Sequence, residues 1–225
     1  MSVLGTVTTV LAGMVFGLAI AAPPGPMNAV IAEESVLRGW LSGVWAGLGA
    51  MAADACFFVL ALVGVVAIVE RVPAIRGAAF AVGGLLMLYF AYDAARSAND
   101  DHAAATGERR GFAKAFALAI TNPYQVVFWL TIGVGMLEPG RIDVLEPLSS
   151  ELAGTLVVAT GSPALLVGFF AGIAAWVVGF PTTLVAAERR LTGVGSTVAY
   201  ASALVLAGFG VAFLGEALAM LGSLV

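Results

Sequence analysis

Charge along this chain is confined to short clusters, and that segregation limits the fold more than any motif does. Stretches without Asp, Glu, Lys, Arg or His cover 1–32, 39–53, 55–69, 77–92, 115–137, 152–187 and 191–215. Two of them meet at Asp54, which leaves six segments. Each can supply a helix of roughly 20 residues, the length a hydrocarbon core demands, although 77–92 needs its flanks. A soluble domain is about one quarter charged, whereas 11% of these 225 residues are charged and 61% are hydrophobic. The reading is an all-α integral membrane protein with six transmembrane helices and no room for a soluble domain. Its main surroundings are then the lipid bilayer, and no nucleic-acid partner is expected.

The spans are expected at about Val3–Ala22 with a continuation to Glu33-Glu34, then Trp40–Val69, Ala78–Tyr92, Phe112–Leu137, Pro163–Ala187 and Ser196–Met220. The first lacks a basic leader and is longer than the apolar part of a signal peptide, so it reads as a span. Tyr89 and Tyr92 suit the headgroup level. Asp93 to Lys114, with Asp100, Asp101, His102, Glu108, Arg109 and Arg110, reads as a solvated loop. His102 has no second histidine or cysteine near it, so no metal site is expected there. Residues 138–162 form a second polar loop, whose apolar middle at 152–159 is too short to span and either lies at the interface or re-enters. The single Cys56 excludes an internal disulfide and reads as a small buried residue.

Basic residues orient the chain. The odd loops hold Arg38, Arg96, Arg109, Arg110, the chain's one lysine Lys114, Arg189 and Arg190. The even loops hold Arg71, Arg76 and Arg141. The odd loops should therefore be cytoplasmic and both termini outside, in a multi-pass protein of the cytoplasmic membrane.

Two of the apolar helices carry breaks. Pro23-Pro24-Gly25-Pro26 cannot continue a regular helix, because each proline removes a backbone donor and clashes with the preceding turn. Asn122-Pro123 interrupts the fourth span. Opened peptide groups are tolerated in hydrocarbon only where protein or a wet cavity covers them. Each break therefore marks a cavity, a plain kink or the end of a span.

The halves resemble each other. Gly43, Gly47, Ala50 and Asp54 answer to Gly168, Gly172, Ala175 and Gly179 at an offset of 125, and both sets form one stripe of a helix. Small residues on such a stripe let backbones approach closely, so Gly43, Gly47, Ala50, Gly168, Gly172 and Gly179 are expected packing positions. Pro26 with Asn28, and Asn122 with Pro123 and Gln125, interrupt the first and fourth helices in similar ways. Chance likeness between Gly-Ala-rich helices is the alternative. Three helices per half make an inverted pair: 1–93, a cytoplasmic loop at 94–111, and 112–225 with an outside loop at about 138–162. Paired broken helices in such a fold point to a transport site, here Pro24, Gly25, Pro26 and Pro123.

Asp54 sits near the middle of the second span, where an aspartate costs about 2.5–3.5 kcal/mol or more. It should face the interior. There it either exchanges a proton, pairs with a cation or a substrate ammonium, or serves as a hydrogen-bond hub between helices. Asn28, Asn122 and Gln125 can add neutral hydrogen bonds. Open N–H groups at a half-helix start attract carboxylates, and freed carbonyls attract cations.

Taken in order, Pro24-Gly25-Pro26-Met27-Asn28, Arg38-Gly39, Gly49 through Ala53-Asp54, and Phe112 through Asn122-Pro123 resemble the lysine exporter (LysE/RhtB-type) translocator family over nearly the whole chain. The resemblance implies six transmembrane helices and export of amino acids or related small metabolites, energised by an ion gradient; whether the chain forms a homo-oligomer is left open by the sequence. The chain departs from the family pattern at Met27, often Asp or Asn, and at Tyr124, often Lys. Proton-coupled antiport through Asp54 is the leading reading. A divalent-metal exporter and a non-transporting membrane scaffold are the alternatives. The embedded residues offer no nucleophile–base pair, haem ligands or phosphate loop, so neither an enzyme nor a cofactor is expected.

Overall fold

The computed structural model describes residues 3–63, 73–97, 109–143, 154, 157–190 and 194–222. In order these form α1 (Val3–Ala21), α2 (Pro26–Arg38), α3 (Trp40–Leu62), α4 (Pro73–Ser97), α5 (Arg109–Ile120) and α6 (Pro123–Phe128). A π-helical turn (Trp129–Gly133), α7 (Val134–Leu137), the strands β1 (Gly140–Asp143) and β2 (Val157–Thr160), α8 (Pro163–Glu188) and α9 (Val194–Gly222) follow. Val3–Ala21, Trp40–Leu62, Gly77–Ser97, Pro163–Glu188 and Val194–Met220 are long and apolar enough to cross a bilayer. The bent pair Arg110–Ile120 and Pro123–Leu137 makes a sixth if it is one span. The protein is a multi-pass, predominantly helical membrane protein.

Several local expectations change. The short continuation expected to reach Glu33-Glu34 is a helix of its own, Pro26–Arg38, which runs four residues further. Asp93 to Lys114 is not a solvated loop throughout, because α4 continues through Asp93 and Arg96 to Ser97, and α5 begins at Arg109. Residues 98–108, with Asp100, Asp101, His102 and Glu108, lie outside the described residues, as do 64–72 and 144–153. Part of the apolar middle of the second polar loop is β2, antiparallel to β1 with Gly140 opposite Thr160. Cys56 is exposed on α3, as an apolar residue can be where the surroundings are lipid.

The chain divides into two compact units, Met1–Pro23 with Phe128–Trp176 and Pro24–Val127 with Val177–Val225. In the first, α1 and the N-terminal part of α8 meet through glycines on both sides. A Cβ on Gly13 or Gly17 would strike the carbonyl oxygens of Leu165 and Phe169. A Cβ on Gly168 or Gly172 would strike those of Val10 and Met14. Gly13-x-x-x-Gly17 and Gly168-x-x-x-Gly172 thus form a reciprocal seam, as expected where packing, not water exclusion, joins helices. Phe16, Phe128, Trp129, Phe169 and Phe170 fill the space beside it, and Trp129 is fully buried. The ribbon is tied down by Gly161, whose N–H donates to the Met136 carbonyl at 2.8 Å. Gly161 has φ +67°, a conformation that favours glycine.

In the second unit, α4 and α9 pack along their length around Phe80, Met87, Leu206 and Phe213. Gly43 and Gly47 of α3 pack against Ser35, Pro181 and Val177, and Ala50 lies against the core. Gly179 differs: it is exposed, and nothing stands within 4 Å of where its Cβ would be. The stripe on α8 is therefore a packing face at Gly168 and Gly172 and not at Gly179. Gly172→Ala should lower the melting temperature of the detergent-solubilised protein, with a loss of stability of about 1–3 kcal/mol for an overpacked contact. Gly179→Ala should leave it unchanged or raise it, and equal losses in the two variants would contradict the seam.

Candidate functional site

The second unit is organised around α2, a helix that hydropathy alone would leave at a surface. Pro26 occupies its first turn, where a missing N–H costs nothing and the fixed φ suits a helix. Gly25 ahead of it is extended. Gly39 ends the helix at φ 91°, donating its N–H to the Ser35 carbonyl at 3.1 Å, and α3 begins at the next residue. Thirteen residues give about 20 Å, too short to cross a bilayer. Yet Pro26 and every residue from Ala29 to Val36 are buried. The helix is enclosed by α3, α5 and α9 and touched by α4. Ser202 of α9 donates its hydroxyl to the Ala29 carbonyl at 2.8 Å.

The buried face of α2 is charged. Glu33 and Glu34 are 0% and 1% exposed. Lys114 of α5 donates to Glu33 Oε2 at 2.6 Å, with its own side chain 1% exposed. Arg38 donates to Glu34 Oε1 at 2.7 Å and stands 3.9 Å from Glu33 Oε1. Lys114 Nζ is also 3.8 Å from Asp93 Oδ2 of α4, and Arg110 donates to Asp93 Oδ1 at 2.8 Å. The result is one line of alternating sign: Glu34, Arg38, Glu33, Lys114, Asp93, Arg110. It runs from full burial to Arg110, whose side chain is 40% exposed. Alternation is what makes the burial affordable, since each interior charge has opposite neighbours. α2 lies outside the candidate spans, and burial there holds the Glu33 carboxyl above its ordinary range, against the pull of Lys114. Glu33 Oε1 accepts no hydrogen bond among the described residues.

A second polar contact joins two residues expected from sequence. Gln125 Nε2 of α6 donates to Asp54 Oδ1 of α3 at 2.7 Å, and the pair is part-buried. The acid at mid-helix thus meets the chain just after Asn122-Pro123. Asn122 acts locally: its side-chain oxygen accepts from the Tyr124 N–H at 3.1 Å and its carbonyl from the Gln125 N–H at 3.0 Å, which caps the start of α6. Pro123 is buried at that start and Pro24 is exposed ahead of α2. Asn28 is half-buried in the first turns of α2. Among the described residues no group of three His, Cys, Asp or Glu is placed to hold a metal ion.

Residues 18–217, nearly the whole chain, match the family described as LysE type translocator. The chain belongs to that family. Among its relatives is the "Putative amino acid efflux protein YcgF" of Bacillus subtilis (strain 168), 27% identical over 54% of this chain and 60% of that protein. The "Uncharacterized membrane protein PA4757" of Pseudomonas aeruginosa is 25% identical over 80% of this chain and 94% of its own length. The chain thus spans less than two thirds of the Bacillus protein. No solved structure matches. At the two departures from the family pattern the LysE-type chain is apolar by packing. Met27 lies against the core, and the Tyr124 ring meets Phe80 and Phe213 edge-on at 5.9 and 5.5 Å.

Sequence reading missed Glu33, Glu34, Arg38 and Lys114 as a unit: it ended the continuation of the first span at Glu33-Glu34 and counted Arg38 and Lys114 in loops. Two signals were present. Glu34 and Arg38, and again Arg110 and Lys114, are four apart and so share a helix face. The chain's one lysine also adjoins an apolar run. Lys114→Met takes the ammonium from the fully buried Glu33, while Asp93 keeps Arg110, and should cost about 3–5 kcal/mol in unfolding of the purified protein. Arg110→Met removes a half-exposed partner and should cost less than about 1 kcal/mol. Comparable losses would contradict the burial gradient along the line.

Proposed function

We propose that this protein is a secondary transporter that exports amino acids or related small metabolites across the cytoplasmic membrane, by antiport of a proton or other cation through Asp54. The observation that carries the reading is the Gln125–Asp54 hydrogen bond, in a chain whose family is one of translocators. The efflux name of the Bacillus relative supports the direction and the substrate class.

The chemistry follows from the position of the acid. A carboxylate in a low-dielectric helix bundle is costly when charged, so it readily exchanges its proton or takes a cationic partner. Gln125 holds one carboxyl oxygen and so fixes the direction in which the acid presents itself. An amino acid offers an ammonium for the carboxylate and a carboxylate for open N–H groups at a helix start, where Pro26 and Asn28 begin α2. In this reading, 1–93 and 112–225 are inverted repeats whose broken helices flank the substrate, with 94–111 cytoplasmic and both termini outside.

The test uses the purified full chain in vesicles under an imposed pH gradient, with amino acids loaded on one side. Asp54→Asn should reduce coupled amino-acid flux to the level of empty vesicles while remaining monodisperse, and Gln125→Ala should reduce it in part. Flux in Asp54→Asn equal to the parent's would overturn the assignment. Divalent-metal flux without amino-acid flux would replace the substrate class.

A further inference from the structure

We propose that Glu33 is a proton-binding site, and that the proton it takes frees α2 from α5 by handing Lys114 over to Asp93. This deepens the transport reading with a second titrating carboxyl, and it rests on that reading only for the use made of the movement.

Three observations carry it. First, Lys114 Nζ lies between two acids on different helices, 2.6 Å from Glu33 Oε2 and 3.8 Å from Asp93 Oδ2. A short movement exchanges the tie to α2 for a tie to α4. Secondly, Glu33 is fully buried and its Oε1 accepts no hydrogen bond among the described residues, with the Arg38 guanidinium 3.9 Å away, so one of its two oxygens is poorly satisfied as an anion. Thirdly, the remaining members stay paired when Glu33 is neutral. Arg38 keeps Glu34 at 2.7 Å and Arg110 keeps Asp93 at 2.8 Å.

Among the described residues, the charges facing Glu33 belong to this line. Its own helix supplies Glu34 and Arg38, α5 supplies Lys114 and Arg110, and α4 supplies Asp93. The Phe90 ring of α4 lies 5.2 Å below the ammonium and holds it by its face as the lysine moves. The buried polar side chains of α3 and α9 are the uncharged hydroxyls of Ser42 and Ser202. Only one group changes state: the Glu33 carboxylate takes a proton from water, and Lys114 keeps its own. With Glu33 neutral, Asp93 is the charged carboxylate that remains within 4 Å of Lys114 among the described residues. The joint between the helix after the first proline break and the helix before the second is then released.

The chain's single lysine makes the movement readable. The full-length protein in detergent at fixed pH would be treated with a small amine-reactive reagent, and labelling at Lys114 followed by peptide mass spectrometry, apart from the terminal amine. Glu33→Gln copies the protonated state and should raise the Lys114 labelling rate about tenfold or more, as when a buried group gains a local opening. Asp93→Asn removes the receiving acid, and labelling there should stay within about twofold of the parent. Equal labelling in Glu33→Gln and parent overturns the proposal. So does an equal rise in Asp93→Asn, which would show general loosening.

The proton itself is read by infrared spectroscopy. A protonated-carboxyl band should grow as pH falls, at a pH above the ordinary value of about 4.3 for glutamate. Glu33→Gln should remove it, and Glu33→Asp, which keeps a carboxyl, should shift it, so the assignment survives if the glutamine variant folds poorly. A band untouched by both variants overturns the site. Asp54→Asn should leave this band in place, so failure of the Asp54 reading and failure of the Glu33 proposal give different results.

Discussion

The ion pair between Glu33 and Lys114 is the contact on which the second unit depends. α2 has two adjacent acids and an arginine in thirteen residues, and nothing in its hydropathy would place it inside a protein. It is inside because every charge it carries has an opposite neighbour, and the decisive neighbour comes from another helix 81 residues away. Without that ammonium, two buried carboxylates would face one guanidinium. The whole helix would then be driven outward by a desolvation penalty of several kcal/mol. Close glycine contacts support the arrangement. Gly111 of α5 lies against Glu34, and a Cβ there would sit 3.2 Å from its side-chain carbons. Gly43 of α3 leaves room for Ser35.

The same interaction gives the fold a place where it can change. A neutral apolar contact between α2 and α5 would be stable and inert. A charged one, with a competing acid at 3.8 Å, can be rearranged by a single proton. Such a joint fits the proposed transport reading, in which helices would part and rejoin.

How far the sequence revealed this depended on range. Membrane spans were visible because burial in lipid removes charge over whole segments, and a run such as 191–215 can hardly be read otherwise. Helix ends were harder. α4 passes through Asp93 and Arg96 because backbone hydrogen bonding does not stop at the first charge, so residues assigned to a loop turned out to be helical. The Gln125–Asp54 contact was half visible: both residues stood out, but their meeting across 71 positions did not. Periodicity alone misled at Gly179, which continues a stripe that has lost its neighbour, and it underused Gly13 and Gly17, whose spacing was plain but whose partner on α8 was not. Lys114 was hidden for the same reason as Glu33. Each looks like a surface charge until the other is placed beside it.

The most direct test of this account is the coupling energy between Glu33 and Lys114, from a double-mutant cycle on reversible unfolding of the purified protein with Glu33→Gln, Lys114→Met and both. The account predicts strong non-additivity: Lys114→Met alone is costly, and adding Glu33→Gln recovers part of the loss, with a coupling of about 1–3 kcal/mol. Losses that simply add would mean that the two side chains do not hold α2 in place.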